Sequence, residues 1–466
     1  MENPLQMKNP AYPVMSILSG LLVSQVIATF QVFFTNRALY HTLTAIHAEG
    51  YLTVPNCQTM GSLLELSTAV CGGLFLTLTV GAGISVATLA AAWVWDRALR
   101  RNPFYLIPLL LLWGGFTAGI HWDGFSPFTT LYLTVIPPVV FASALLWMPP
   151  VNKNRPRHSG LLHLIPIIIL GLLWVPQMEK GLFIHIRDHL LLKNPVGERI
   201  VDFYYRYTLY PAEVLKPLHR KLFKTCSLKT LSEGPPKNEL RNALLIHDWI
   251  ETKKLDVDLI LERSGNLLVL EDGKGTAMEI PVNEFLSSPA TALKRFSSRI
   301  DKHRIFRQLT FYSLLFAFPI TLYILLYSLF FSFLGGWASA GTASMRSVAL
   351  CFFTALILLL PLCRNDSRKT DRTLLASPHT QERYWAAKTL GVSQSHEIYE
   401  DLLELLKDPS PIVVSAALFS LGQRGERKAI SRILQHLKIS EHYYVQWYAY
   451  KALKNLGWNQ KKDIRS

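Results

Sequence analysis

The sequence predicts a mainly α-helical, polytopic membrane protein of about seven transmembrane helices, carrying a small α+β soluble module and a C-terminal α-solenoid. Three observations carry that expectation. Long apolar runs pass without a charge, one stretch alternates with period two between turn dipeptides, and the C-terminal part repeats itself at separations of 31 and 35 residues. The composition agrees: 466 residues, half of them hydrophobic and 17% charged, with 48 Lys+Arg against 33 Asp+Glu for a net charge of +15. Such a chain is neither disordered nor a disulfide scaffold nor an ordinary soluble basic protein, because its apolar residues fall in runs rather than at amphipathic spacing.

A hydrocarbon core roughly 30 Å thick needs about 20 apolar residues of helix. The runs are 13–35, 66–95, 104–121, 127–148, 161–178, 308–334 and 347–363. The second, between Glu65 and Asp96, is long enough to tilt. The third and fourth are joined by His121-Trp122-Asp123-Gly124, the fifth is short and broken by Pro166 and Pro176, and the last two form a hairpin about Gly335-Gly336. The first run is too long for the apolar core of a signal peptide and has only Lys8 before it, so it reads as a retained helix. The expected domains are 1–178 (membrane), 179–307 (interfacial segment and α+β module), 308–364 (hairpin) and 365–466 (repeats).

Orientation follows from the bases in short loops. Arg97, Arg100 and Arg101, and then Lys153, Arg155 and Arg157, place two loops and the N-terminus in the cytosol of a prokaryotic cell with the 36–65 loop outside. The bases of 294–307 (Lys294, Arg295, Arg299, Lys302, Arg304, Arg307), and Arg364, Arg368, Lys369 and Arg372, also favour the cytosol, which requires that 161–178 not simply cross. The reading therefore leans to a cytosolic 179–307. A hairpin at 308–363 puts 179–307 and 365–466 on one side in either case. The five cysteines Cys57, Cys71, Cys226, Cys351 and Cys363 form neither a disulfide framework nor a CxxC knuckle.

In the middle segment Phe203, Tyr204, Tyr205, Tyr207 and Tyr210 are interleaved with Arg206 and Lys216. Amphipathic rings beside bases suit the headgroup level of a bilayer, so Tyr204, Tyr205, Arg206, Tyr207 and Tyr210 are the candidate lipid contacts. The alternative is an aromatic face packed on the membrane domain. Asp188, Glu198, Asp202 and Glu213 balance the bases and argue against nucleic acid. Gly234-Pro235-Pro236 marks a linker, and helical spacing follows at Leu240, Leu244, Leu245 and Trp249. Leu255, Val257, Leu259 and Leu261 then alternate as a strand, and the turns Ser264-Gly265 and Asp272-Gly273 bracket Leu267–Leu270 before Ala277–Ile280, a three-stranded meander between two helices. Asp256, Asp258, Glu262, Glu271 and Asp272 read as a solvated strand face rather than a metal site.

The C-terminal self-similarity is carried by Ala386, Ala417 and Ala452, each five residues before a glycine, and by Leu390-Gly391, Leu421-Gly422 and Leu456-Gly457. The small alanines allow close helix approach, and the glycines are expected to supply the left-handed residue that ends each second helix. The stretches RYWAAKTLG (Arg383–Gly391), DPSPIVVSAALFSLG (Asp408–Gly422) and VQWYAYKALKNLGW (Val445–Trp458) resemble the HEAT-like repeats of the phycobilisome-lyase type. The resemblance covers about 90 residues, and the repeats are degenerate, with Val414 and Ala449 where the first has Arg383. It implies a helical scaffold that binds a protein partner; no bilin-lyase role and no catalytic residue carry over. So few repeats need caps or a neighbour, which 179–307 or the membrane surface could supply.

Intramembrane ionisable residues are candidates for function by default. Here only Glu65, His121 and Asp123 stand at helix mouths, with His163 near the end of the fifth run and Arg346 placed to snorkel. None lies at a helix midpoint, which argues against an ion-coupled transporter. Gly72-Gly73, Gly81-Ala82-Gly83 and the GxxxG pair Gly115 and Gly119 predict close helix packing. No GxSxG, HExxH, P-loop or GxGxxG motif in a strand-to-helix context appears, and no cofactor or metal is indicated. The expectation is a multi-pass inner-membrane anchor and scaffold that recruits a protein partner; the alternative is a transporter or lipid-active membrane enzyme with a site near Glu65, His121 and Asp123 and the repeats as its regulatory domain.

Overall fold

The computed structural model describes residues 12–460 apart from 149–160, 178–181, 208, 229–230, 232–233, 254–255, 274, 338, 364–370 and 394. The expectations that rest on Lys153, Arg155, Arg157, Arg364, Arg368 and Lys369 lie outside the described residues. In chain order come α1 (Tyr12–Ala48), α2 (Leu66–Leu76), α3 (Ala82–Arg97), α4 (Leu106–Ile120), α5 (Pro127–Trp147), α6 (Leu161–Trp174), α7 (Leu182–His189), α8 (Pro195–Tyr207) and α9 (Leu209–Leu215). Next are β1 (Lys224–Ser227), α10 (Pro235–Ile246), β2 (Trp249–Glu251), β3 (Leu259–Ser264), β4 (Leu267–Glu271), β5 (Ala277–Pro281), α11 (Val282–Ser287) and α12 (Pro289–Arg299). The chain continues through α13 (Arg304–Tyr312), α14 (Phe318–Gly335), α15 (Ala340–Cys363), α16 (Thr380–Leu390), α17 (His396–Glu404), α18 (Pro411–Arg424), α19 (Ile430–Ile439) and α20 (Tyr443–Asn455). Two compact units result, each assembled from separated stretches: a helical unit from 1–31, 73–198 and 302–367, and a mixed unit from 32–72, 199–301 and 368–466.

Among the described residues six helices are long and apolar enough to cross a membrane: Tyr12–Ala48, Leu66–Arg97, Pro103–Ile120, Pro127–Trp147, Arg304–Gly335 and Gly341–Leu360. Six runs rather than seven reach that length. The fifth gives only the 14-residue α6, with Pro166 inside it, because Pro176 and a short run leave no room for more turns. Within the helical unit α2 continues into α3 through a π-helical turn at Thr77–Gly81, and α13 into α14 through a second at Ser313–Ala317. The two turns pack on each other. Glycine makes the approach possible: a Cβ at Gly83 would stand 2.1 Å from Ser313 Oγ, and one at Gly81 2.1 Å from Ser24 Oγ. The expectation of the same packing for Gly115 and Gly119 is corrected, since neither has a neighbour within 4 Å of such a Cβ. They lie on α4, the least buried of the long helices, where Leu110, Leu111 and Leu112 are exposed too.

Four buried hydroxyls of this unit serve their own helices. Thr79 Oγ1 donates to Phe75 O at 2.7 Å, Ser85 Oγ to Gly81 O at 2.7 Å, Thr88 Oγ1 to Ile84 O at 2.8 Å and Thr310 Oγ1 to Phe306 O at 2.8 Å. A carbonyl already in a helix ladder accepts the second bond, so these groups are buried with no partner on another helix. Thr77 differs, donating to Gln25 Oε1 of α1 at 2.8 Å.

The mixed unit holds a five-stranded sheet in the order β2-β1-β3-β4-β5, not a three-stranded meander. β1 pairs in parallel with both β2 and β3, while β3, β4 and β5 form the antiparallel hairpins expected of the turns. β1, α10 and β2 form a βαβ crossover. β1 escapes periodicity because all four residues of Lys-Thr-Cys-Ser are buried, so no alternation marks it. Leu259, Leu261, Leu268 and Leu270 point into a core with Leu240, Leu244, Trp249, Phe285 and Phe296. Asp258, expected on a solvated face, ties β1 to β3: its Oδ2 accepts from Thr225 N at 2.9 Å and Thr225 Oγ1 at 3.0 Å.

Candidate functional site

The repeat region of the mixed unit is a layer of second helices, α16, α18 and α20, with α17 and α19 packed behind α18 and α20. Ala386, Ala417, Ala452, Leu421 and Leu456 are buried, and Leu390 is half-buried. The glycines act differently from expectation. Gly391 is right-handed (φ −56°), Gly422 lies inside α18, and α18 ends at the left-handed Gly425 (φ 74°). Only Gly457 (φ 73°) is the left-handed stop the repeat predicts. The other two permit contact between repeats: a Cβ at Gly422 would stand 2.8 Å from Ala452 Cα, and one at Gly391 2.2 Å from Ser420 Oγ. Ser420 Oγ in turn donates to Ala387 O at 2.7 Å across the α16–α18 seam.

Ion pairs join successive repeats. Arg383 forks onto Asp408, Nε to Oδ2 at 2.7 Å and Nη2 to Oδ1 at 3.1 Å, and its Nη1 donates to Ser377 O at 2.8 Å. Asp408 also accepts from Ser410 N at 2.8 Å just before Pro411, the first residue of α18. Arg424 donates to Ser393 O and, at 3.0 Å, to Ser395 O, pinning the turn before α17.

The far end of the layer is held by distant parts of the same chain. Asn56, in the loop after α1, reaches the last turn of α19, where helix carbonyls have no amide of their own to accept. Its Nδ2 donates to Leu437 O at 3.2 Å, Lys438 O at 3.1 Å and Ser440 O at 3.0 Å. Gln446, fully buried, accepts from Asn56 N at 2.9 Å and donates to Thr59 Oγ1 at 3.0 Å and Ser440 O at 2.6 Å. Gln460 exchanges two bonds with the backbone of Leu52, at 3.0 and 2.9 Å. From the α+β module, Asp248 accepts from Tyr450 OH at 2.6 Å and Lys454 Nζ at 3.0 Å, and Phe223 meets the Tyr450 ring edge-on. From α8, Tyr205 stacks on Tyr444 with centroids 3.8 Å apart, and Asp202 Oδ1 lies 3.4 Å from His442 Nε2. Burial holds the His442 imidazole below its ordinary pKa, against the pull of Asp202.

The other sequence candidates are dispersed. Tyr204 and Arg206 are exposed, Tyr207 is half-buried against Phe203, and Tyr205, a candidate lipid contact, is instead committed to Tyr444. The side chains of Tyr210 and His163 lie outside the described residues. Glu65 is exposed and accepts from Ser67 Oγ at 3.2 Å; it belongs to the mixed unit, whereas His121 and Asp123 belong to the helical one. His121 Nε2 lies 3.0 Å from Thr130 Oγ1, and Asp123 is exposed. Asn56, Gln446, Gln460 and Asp248 were invisible to pattern reading, although five aromatics within Tyr443–Tyr450 exceed what a repeat consensus needs and signal an extra contact.

Residues 372–455 match the family of HEAT repeats, helical repeats that mediate protein–protein interaction. No curated protein and no solved structure matches the chain.

Proposed function

We propose that the chain is a multi-pass membrane anchor whose HEAT-repeat layer receives a protein partner at its α16 and α18 side. The observation that carries this reading is the division of the layer: α20 is clasped by the chain's own loop and module, while Phe419 of α18 stays exposed, with only the Tyr448 ring edge-on to it among the ring contacts of the described residues. On α16, Lys388 lies 4.9 Å from the Trp385 ring. Large aromatic side chains are what protein interfaces concentrate at their centres. A photo-crosslinking residue at Phe419, in native membranes, is expected to trap a second protein, and Trp385→Ala is expected to weaken that adduct. Adducts with lipid alone would remove the reading.

The proposal includes seven crossings, with α6 as the short one, in a prokaryotic inner membrane. Its support is parity. Residues 32–72, 199–301 and 368–466 fold together, which supports an even number of crossings between 72 and 199: α2–α3, α4, α5 and α6. We place 179–307 on the outer side, against the cytosolic expectation above, by setting Arg97, Arg100 and Arg101 of a short loop in the cytosol and taking the long mixed segments as translocated whatever their charge. Compartment-sensitive reporters within 234–238 and after Ser466 test it: signal from the outer side at both is expected, and cytosolic signal at either overturns it. The finer likeness to phycobilisome-lyase repeats adds no chemistry to this proposal.

A further inference from the structure

Helix α8 has two working faces. Gly197 and Val201 are buried and Tyr205 is stacked on Tyr444, all within one 80° sector at 100° per residue. About 120° round the helix from that sector, Val196 is 66% exposed, Ile200 50%, Phe203 41% and Tyr204 46%. These positions stand at i, i+4, i+7 and i+8 and make a continuous apolar stripe. Arg199 and Arg206 are exposed together along one edge of it. The chain reaches this helix 20 residues after Trp174, the end of apolar α6.

We propose that the α8 stripe lies in the headgroup region of the bilayer and that Arg199 and Arg206 draw it to anionic lipid. Aromatic and aliphatic side chains bordered by guanidinium groups bury their apolar parts at the acyl boundary and keep their charges among phosphates. Glu198 and Asp202 lie beyond the arginines from the stripe, and Asp202 stands 3.9 Å from Arg206, so the edge of the stripe carries the charge of Arg199 and that of an Arg206 partly offset by its neighbour. Because the other face holds Tyr444 and His442, the helix joins a lipid contact directly to the last HEAT repeat. This rests on the membrane reading above.

The test uses the full chain, with its native cysteines replaced, in vesicles of phosphatidylcholine with or without phosphatidylglycerol. An environment-sensitive fluorophore is placed at Ile200→Cys, at Leu111→Cys of α4 and at Asn266→Cys in the exposed β3–β4 turn. Nitroxide lipids labelled near the headgroup are expected to quench the probe at 200 at least about twofold more than that at 266. Phosphatidylglycerol is expected to raise the quenching at 200, and Arg199→Gln with Arg206→Gln to abolish the increase. If the probe at 111 is quenched by lipid while that at 200 matches 266, the α8 proposal fails and the membrane reading stands. A probe at 200 shielded from both lipid nitroxide and aqueous iodide would mean a protein covers the stripe, which also overturns it. Quenching at neither 200 nor 111 would remove both readings.

Discussion

Two sets of buried polar groups, one in each unit, find their partners in opposite ways. In the helical unit Ser85, Thr88, Thr79 and Thr310 bond to carbonyls three or four residues back, so each hydroxyl is satisfied before any tertiary contact forms. In the mixed unit Asn56, Gln446, Gln460 and Asp248 take partners from distant stretches, with Asn56 and Gln446 390 residues apart. A local bond survives small shifts of a helix, whereas a long-range network exists only in one arrangement. These helical hydroxyls are therefore expected to tolerate substitution, whereas the long-range network of the mixed unit specifies a single assembly.

The largest expected effect breaks that network. Gln446→Leu removes three hydrogen bonds and leaves Asn56 N without its acceptor inside a buried site, and should destabilise the mixed unit by about 3–4 kcal/mol. Hydrogen exchange on the full chain in micelles should then accelerate across 430–460, and unchanged protection would refute the importance of the clasp. Arg383→Ala should lose about 3 kcal/mol, because it strands the nearly buried Asp408 carboxylate. Its mark is faster exchange in α16 and α18, with α20 less affected.

A pH response should separate the units further. Burial lowers the pKa of His442, and of His436 and His247, below the ordinary 6.5. The unfolded chain then binds the proton more tightly than the folded one. Stability is intact above pH 6.5 and falls as pH drops from 6.5 towards the lowered folded values. Thermal unfolding followed from neutral to acid pH should show this loss, and His442→Gln should reduce its slope.

Gly422→Ala, which sets a Cβ 2.8 Å from Ala452 Cα, should cost about 2 kcal/mol. Gly115→Ala on α4, with open space around it, should instead be neutral or stabilising by up to about 1 kcal/mol. Equal losses at the two glycines in a thermal-shift assay would erase the contrast. Smallest of all, Thr88→Ala should change stability by less than about 0.5 kcal/mol, since Ile84 O keeps its helix bond.

What was legible follows the same division. The apolar runs are local in sequence, and six of them appear as long helices. The β3–β4–β5 hairpins were legible because alternation and turn dipeptides are local too, and residues 372–455 declare HEAT repeats through their spacing. β1 and β2 were not, since strands of four and three residues buried in a parallel pairing carry no period. Gly391 and Gly422 show the same limit at single positions: a glycine before a turn can serve conformation or contact, and only the neighbouring helix decides which. The clasp on α20 was invisible because nothing in the VPNC stretch around Asn56 distinguishes it from any polar loop until residues 437–446 stand beside it.

That separation also sets a timetable for biosynthesis. At about 5–20 residues per second, the ribosome needs roughly 20–80 s to travel from Asn56 to Gln446. Throughout that interval the amide of Asn56 has been made and its receptor has not. The loop must wait in an open form, hydrated or guarded by a chaperone, and it closes only when α19 and α20 arrive. Closure of the clasp thus requires the chain to have been made through α20, and a product stalled before Gln446 would leave the loop undocked.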